Sequence, residues 1–243
     1  MWQQDIKKSD WIKAAVTGII LGTVVTYLFY NSFISFILVP PFAYIYVRQW
    51  HKEKCKGIEK KFKKQFVVAI TILTNLISVG YSVENAIKEV VRELEIMYGS
   101  DEICIKEFIR IQHLLQMNLP IEQAMSEMAV RVHKDDVQNF VTVFTSAKRA
   151  GGDTISIMNE TVRQMSEGLE TEEEIDTVIS SGRLEFKIMC TVPFVILLYM
   201  RFAFPEFMTI LYGNILGVSF MTICLAIYVC AYIIGRKIIT IEV

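Results

Sequence analysis

The chain has 243 residues, 53% of them hydrophobic, with a mean hydropathy of +0.39. A water-soluble domain of this length fills one core with less apolar surface, so the composition argues against a purely soluble protein. The formal net charge of −1 conceals a partition: residues 14–47 contain no Asp, Glu, Lys or Arg, residues 188–235 contain only Arg201 and Glu206, and nearly all the charge lies between.

Lys7, Lys8 and Lys13 precede the first apolar run, as in a signal peptide. The run continues through Tyr30 without a small-residue cleavage pattern and a second follows directly, which is the expectation for a retained anchor. One crossing takes about 20 helical residues, so residues 14–47 are expected to hold two spans, 14–30 and 33–47, broken near Asn31 and Ser32. Pro40 and Pro41 in the second are tolerable where neighbouring helices satisfy the freed carbonyls. Gly18 and Gly22 form a G-x-x-x-G, a candidate close helix contact. The C-terminal apolar block divides at Phe204-Pro205-Glu206, giving expected spans 188–204 and 210–234. Arg201, near the outer end of the third, is expected to snorkel to the headgroups or pair with Glu206.

Lys and Arg resist translocation, and they cluster before span one, after span two (Arg48 and the lysines from Lys52 to Lys64) and after span four (Arg236, Lys237). One topology makes all three clusters cytoplasmic, with both termini and the central region on that side. The expected domains are a cytoplasmic segment 1–13, a helix pair 14–47, a cytoplasmic helical bundle 48–187, a second helix pair 188–235 and a tail 236–243.

Within the bundle, Phe62, Phe66, Ala69, Ile70, Leu73, Leu76 and Ile77 step by three and four, the face of an amphipathic helix. Gly80 ends it by taking the left-handed conformation, and Ser82 caps the next helix. That helix is expected to bury Val83, Ala86, Ile87, Val90, Leu94 and Met97 and to stop at Gly99, with Asp101 capping a third through about Met117. The restart then recurs. Gly80-Tyr81-Ser82-Val83-Glu84-Asn85-Ala86-Ile87 is matched by Asn118-Leu119-Pro120-Ile121-Glu122-Gln123-Ala124-Met125, in which Asn serves as the non-glycine left-handed cap and Pro opens the next helix. A further helix from Asp135 or Asp136 ends at Lys148 and Arg149, which suit the negative pole of its dipole. A third restart follows at Gly151-Gly152-Asp153-Thr154. No segment alternates with period two, so the reading is an all-α membrane protein: about six cytoplasmic helices between two pairs of transmembrane helices.

This order of spans and turns, with G-Y-S-V-E-N-A-I, A-G-G-D-T and the approach Ser181-Gly182-Arg183-Leu184-Glu185 to Val192-Pro193, resembles the type II secretion system F protein family, and within it the single-bundle Tad-type platform proteins. The likeness covers roughly residues 62–200. It departs from the family at Asn-Leu-Pro, where a glycine-led turn is common, and in its shortness. The resemblance implies a cytoplasmic-membrane platform for a pilus or secretion machine. Its implied partners are a hexameric secretion ATPase beneath it, a paralogous platform protein, prepilin or pilin subunits, the lipid bilayer and further copies in a homo- or hetero-oligomer.

No catalytic, metal or cofactor site is expected. Gly151-Gly152 lacks the strand and downstream Lys of a phosphate-binding loop, the three histidines are dispersed, and the five cysteines form no C-x-x-C. The lysines from Lys52 to Lys64 read as a topology signal and anionic-lipid contact, not a nucleic-acid surface. The acidic group Glu167, Glu170, Glu172, Glu173, Glu174 and Asp176 reads chiefly as a solvated face. Lys148, Arg149 and Glu172, Glu173 and Glu174 are the candidates for motor contact. A small transporter or membrane-embedded enzyme is the alternative, disfavoured because only Arg201 and Glu206 could supply titratable chemistry in the last two spans.

Overall fold

The computed structural model of the chain describes residues 8–30, 39–150, 154–212 and 214–239. Among them are nine helices and no strand: α1 (Lys8–Tyr30), α2 (Val39–Ser78), α3 (Val83–Tyr98), α4 (Ile103–Gln116), α5 (Ile121–Val132), α6 (Asp135–Ala150), α7 (Thr154–Ala203), α8 (Pro205–Tyr212) and α9 (Ile215–Ile239). The chain divides into two compact units. One comprises Cys55–Thr171; the other comprises the described residues of Ile6–Lys54 and Glu172–Val243. Both boundaries fall inside helices, α2 and α7.

The unbroken course of α2 differs from the sequence reading, which recognised separate segments ending at Val47 and starting at Phe62. The 14 residues between them are rich in Lys, with two Glu, Gly57 and no proline, so nothing stops a helix there. Its periodicity becomes visible only where one face gains a core.

That core gathers Phe66, Ile70 and Leu73 from α2, Ile87 and Leu94 from α3, Phe108 and Ile111 from α4, Met125 and Met128 from α5, Phe140 from α6 and Met158 from α7. Phe66 is fully buried, with ring centroids of Phe62, Phe108 and Phe140 at 6.0, 6.3 and 5.8 Å, the last edge-on. Three details of α3 depart from expectation, the first being that Val83, in its opening turn, is only partly buried against the core. Val91 is buried in addition to the expected set, whereas Met97 is 57% exposed, because the apolar stripe has rotated off the core by the last turn.

Among the described residues, three helices are long and apolar enough to cross a membrane: α1 over Asp10–Phe29, α7 within Ile155–Ala203 and α9 over Leu216–Ile238. Of the expected span 33–47, residues 39–47 open α2, and the rest, with the break at Asn31 and Ser32, lies outside the described residues. That opening stretch runs antiparallel to α1. A Cβ on Gly18 would sit 3.1 Å from the Tyr46 ring and 3.5 Å from the Ala43 backbone, while Lys54 pairs with Asp10 at 3.8 Å. Gly18 thus serves a close contact within the chain. The C-terminal helices are antiparallel too: Phe186 stacks on Tyr232 and Phe194 meets Tyr228 edge-on, with centroids 5.8 and 5.3 Å apart. A Cβ at Gly235 would lie 2.4 Å from the Phe186 ring, so this approach needs glycine.

The break after Phe204 occurs as expected, but the fourth apolar segment is not one helix from residue 210. Pro205 opens the short α8, and α9 starts only at Ile215, with Gly217 passing so near Leu211 that a Cβ would lie 2.2 Å from its carbonyl oxygen. Pro193 sits inside α7, where its missing N–H removes one helical bond.

Candidate docking surface

The short turns of the bundle make successive helices antiparallel neighbours, and ion pairs fix which ends meet. At one end, α2 presents Glu59, Lys61 and Lys63. Glu59 accepts Lys134 at 2.8 Å, Lys61 reaches Glu102 at 2.6 Å, and Lys63 reaches Asp136 at 3.1 Å, gathering the starts of α4 and α6 there. At the other end, the α2–α3 and α4–α5 turns lie with the end of α6, because Lys148 pairs with Glu122 in the first turn of α5 at 2.8 Å. Both copies of the sequence repeat therefore lie at the same end of the bundle.

Each turn is built as its residues dictate. Gly80 has φ +98°, and the amide of Tyr81 donates to the Leu76 carbonyl at 3.0 Å, closing α2. Ser82 is the N-cap of α3, accepting from the Asn85 amide at 3.4 Å. Asn118 has φ +62°, the left-handed cap its residue type favours, and the Leu119 amide donates to the Leu114 carbonyl at 3.1 Å. The two turns share one hydrogen-bonding scheme. Pro120 occupies the N-cap of α5, one position before the opening turn expected for it, and its carbonyl accepts from the Ala124 amide at 3.1 Å. Gly151, Gly152 and Asp153 lie outside the described residues; α7 begins at Thr154, as expected.

Apolar side chains stand open at this end: Val79 is 78% exposed and Met117 74%, with Tyr81 half-exposed. Arg149 is exposed beside them in sequence with Lys148. Lys148 serves the fold as well, since its hydrogen bond and charge, with the charge of Arg149, hold the Glu122 carboxyl below the ordinary carboxylate range against the smaller effect of burial. Of the candidates for motor contact, Lys148 and Arg149 belong to the bundle unit, whereas Glu172, Glu173 and Glu174 lie on the part of α7 that belongs to the other unit.

The opposite end carries residues the sequence did not single out. Asp101 is not the cap of α4. Glu102 holds that position without capping the helix, because its carboxylate is turned to Lys61 and, at 3.2 Å, to Gln65. Burial works to raise the Glu102 carboxyl, but those hydrogen bonds and the charges of Lys61 and Lys106 outweigh it and hold its pKa low. Glu107 is buried and receives two bonds from Arg131, at 3.0 and 2.8 Å. Its signal was available: Glu107 sits three residues after Cys104 and four before Ile111, a charge in the apolar register. His133 takes φ +52° to end α5, a turn with no glycine or asparagine to announce it.

Cys104 is buried, and burial, reinforced by the Glu107 and Glu102 charges, pushes its thiol far up, leaving it a small apolar side chain. Among the described residues, no three His, Cys, Asp or Glu side chains gather as a metal site. What this end offers is exposed apolar side chains on two turns and exposed cationic groups at the end of α6, on a helical frame, side-chain types that suit a protein contact. Compared with protein-family models, curated proteins and solved structures, the chain finds no match in any of the three.

Proposed function

We propose that the chain is an integral platform protein of a Tad-type pilus or type II secretion-like machine in the cytoplasmic membrane, coupling a cytoplasmic hexameric ATPase to the insertion or extraction of pilins. The observation that carries the proposal is the repeated restart turn. Gly80 and Asn118 take the same left-handed part in its two copies, and both copies lie at one bundle end, which is where the reading puts the motor. Three apolar helices and the antiparallel courses of α1 with α2 and of α7 with α9 support a membrane-embedded part; in this reading the opening of α2 belongs to a fourth crossing, and the Lys and Arg clusters put both termini in the cytoplasm. ATP hydrolysis belongs in this reading to the partner, and α7, 50 residues long, passes displacement towards the apolar segment that handles pilins.

The test is capture of a secretion ATPase by the full chain in lipid nanodiscs. Arg149→Glu is expected to weaken capture at least tenfold, as loss of an interface hot spot does, without lowering membrane abundance. Lys148→Glu alone also breaks the Glu122 pair, so it is combined with Glu122→Lys, which restores the pair with reversed sense. That double variant should fold and still bind poorly. Undiminished capture by both Arg149→Glu and the swapped pair removes this surface from the reading.

A further inference from the structure

The last turn of α1 is held by two other helices. A helix leaves its final four carbonyls without intrahelical partners, which in α1 are those of residues 27–30. Arg201, near the end of α7, donates from Nη1 to the Tyr27 carbonyl oxygen at 2.9 Å, and its guanidinium lies 4.0 Å from the centroid of the Tyr27 ring. Tyr212, the last residue of α8, donates its hydroxyl to the Leu28 carbonyl oxygen. Beneath them Leu28 and Phe29 are buried with Met221 of α9, and Phe29 meets Phe194 edge-on at 6.2 Å. Two consecutive orphan carbonyls thus take donors from two different elements.

We propose that Arg201 and Tyr212 form a clasp that fixes the end of α1 to the α7–α8 corner, so that Arg201 acts as a positioning residue through its geometry and not as a charge anchored among headgroups. Three features converge on this role. The guanidinium is planar, and only a planar donor can lie over the Tyr27 ring while directing an N–H to the carbonyl of the same residue; a lysine ammonium cannot do both. Carbonyls at an apolar helix end are costly to leave unmade, which gives the two bonds a purpose. The break at Pro205 turns the chain into α8, and α8 delivers Tyr212 to the carbonyl next to the one Arg201 holds. A clasp of this kind makes the α7–α8 corner and the end of α1 move together.

The experiment is hydrogen exchange by mass spectrometry on the full chain in nanodiscs, following peptides that cover residues 20–30 beside peptides from residues 85–145. Tyr212→Phe deletes one hydroxyl with no change of shape, and Arg201→Lys keeps charge and reach. Each is expected to speed exchange in the α1 peptide roughly tenfold, the effect of one lost hydrogen bond in a locally opening segment, with the bundle peptides unchanged. An anchoring role predicts that Arg201→Lys behaves as the parent, because lysine also snorkels. Parent-like exchange in either variant overturns the clasp. Should Arg201→Lys lose protection throughout the chain, the isosteric Tyr212→Phe decides alone: faster exchange confined to α1 upholds the clasp, and parent-like exchange refutes it.

Discussion

The bundle and the apolar helices are made from the same residue types, yet they dispose of them oppositely. In the bundle, Phe66, Ile70, Leu73 and Phe108 are wholly buried, and Lys, Glu and Arg cover the outside. In α7 and α9, Tyr199, Phe202, Leu216 and Ile227 point away from the protein, while the contacts inside rest on Gly18, Gly235, ring edges and carbonyl caps. Exposed leucine and phenylalanine on that scale suit an apolar solvent, so the bundle has the surface of a domain in water while α7 and α9 have that of helices long and apolar enough to cross a membrane. Helix contact in the first is driven by burial; in the second it depends on close approach and on satisfied polar groups.

The largest break in this contrast is Phe66→Ala. It opens a cavity among the rings of Phe62, Phe108 and Phe140 and should cost the bundle about 3–5 kcal/mol, read as a loss of exchange protection across α2 to α6. The matched substitution Phe202→Ala, on a side chain 80% exposed, should leave protection in α7 near the parental value in nanodiscs. Equal losses from the two would mean that both regions are packed in the same way.

A smaller effect is expected at Asn118. A β-branched residue cannot take φ +62° cheaply, so Asn118→Val should destabilise by about 1–2 kcal/mol, while Asn118→Gly should be near neutral. Thermal unfolding of the detergent-solubilised chain checks the order. The reverse ranking would show that the side chain of Asn118, not its backbone, makes the turn.

The mildest effect is on pH dependence. Glu102 and Glu122 have folded pKa values below the unfolded value of about 4.3. Their contribution is therefore fully present above that pH and is lost as pH falls through the lower folded values. Glu102→Gln should lower the thermal midpoint modestly at pH 6 and flatten its decline towards pH 3. A slope equal to the parent's would exclude Glu102 as a source of the acid sensitivity.

How much of this was legible beforehand follows from the range of each cause. Gly80, Ser82, Gly99 and Asn118 act within four residues of themselves, and their turns could be read directly. The start of α6 at Asp135 and the break at Pro205 belong to the same class. Glu102 and the Glu107–Arg131 pair act across helices, so propensity and periodicity pointed to Asp101 as a cap and were silent on the buried pair. The length of α2 was hidden for another reason: its charged middle carries no face pattern, although it contains nothing that ends a helix. The double service of Lys148, at once exposed and bound to Glu122, needs the packing of α5 on α6 and could not be read from either helix alone.

The central claim is a water-exposed cytoplasmic bundle joined to lipid-embedded helices, and protease access tests it most directly. Trypsin added to inverted membrane vesicles should cut at exposed basic residues such as Arg110 and Arg149, while intact cells with a permeabilised outer envelope should leave the chain whole. Cleavage at those sites from the outer face, or complete release of the protein from membranes by alkaline carbonate, would contradict the account.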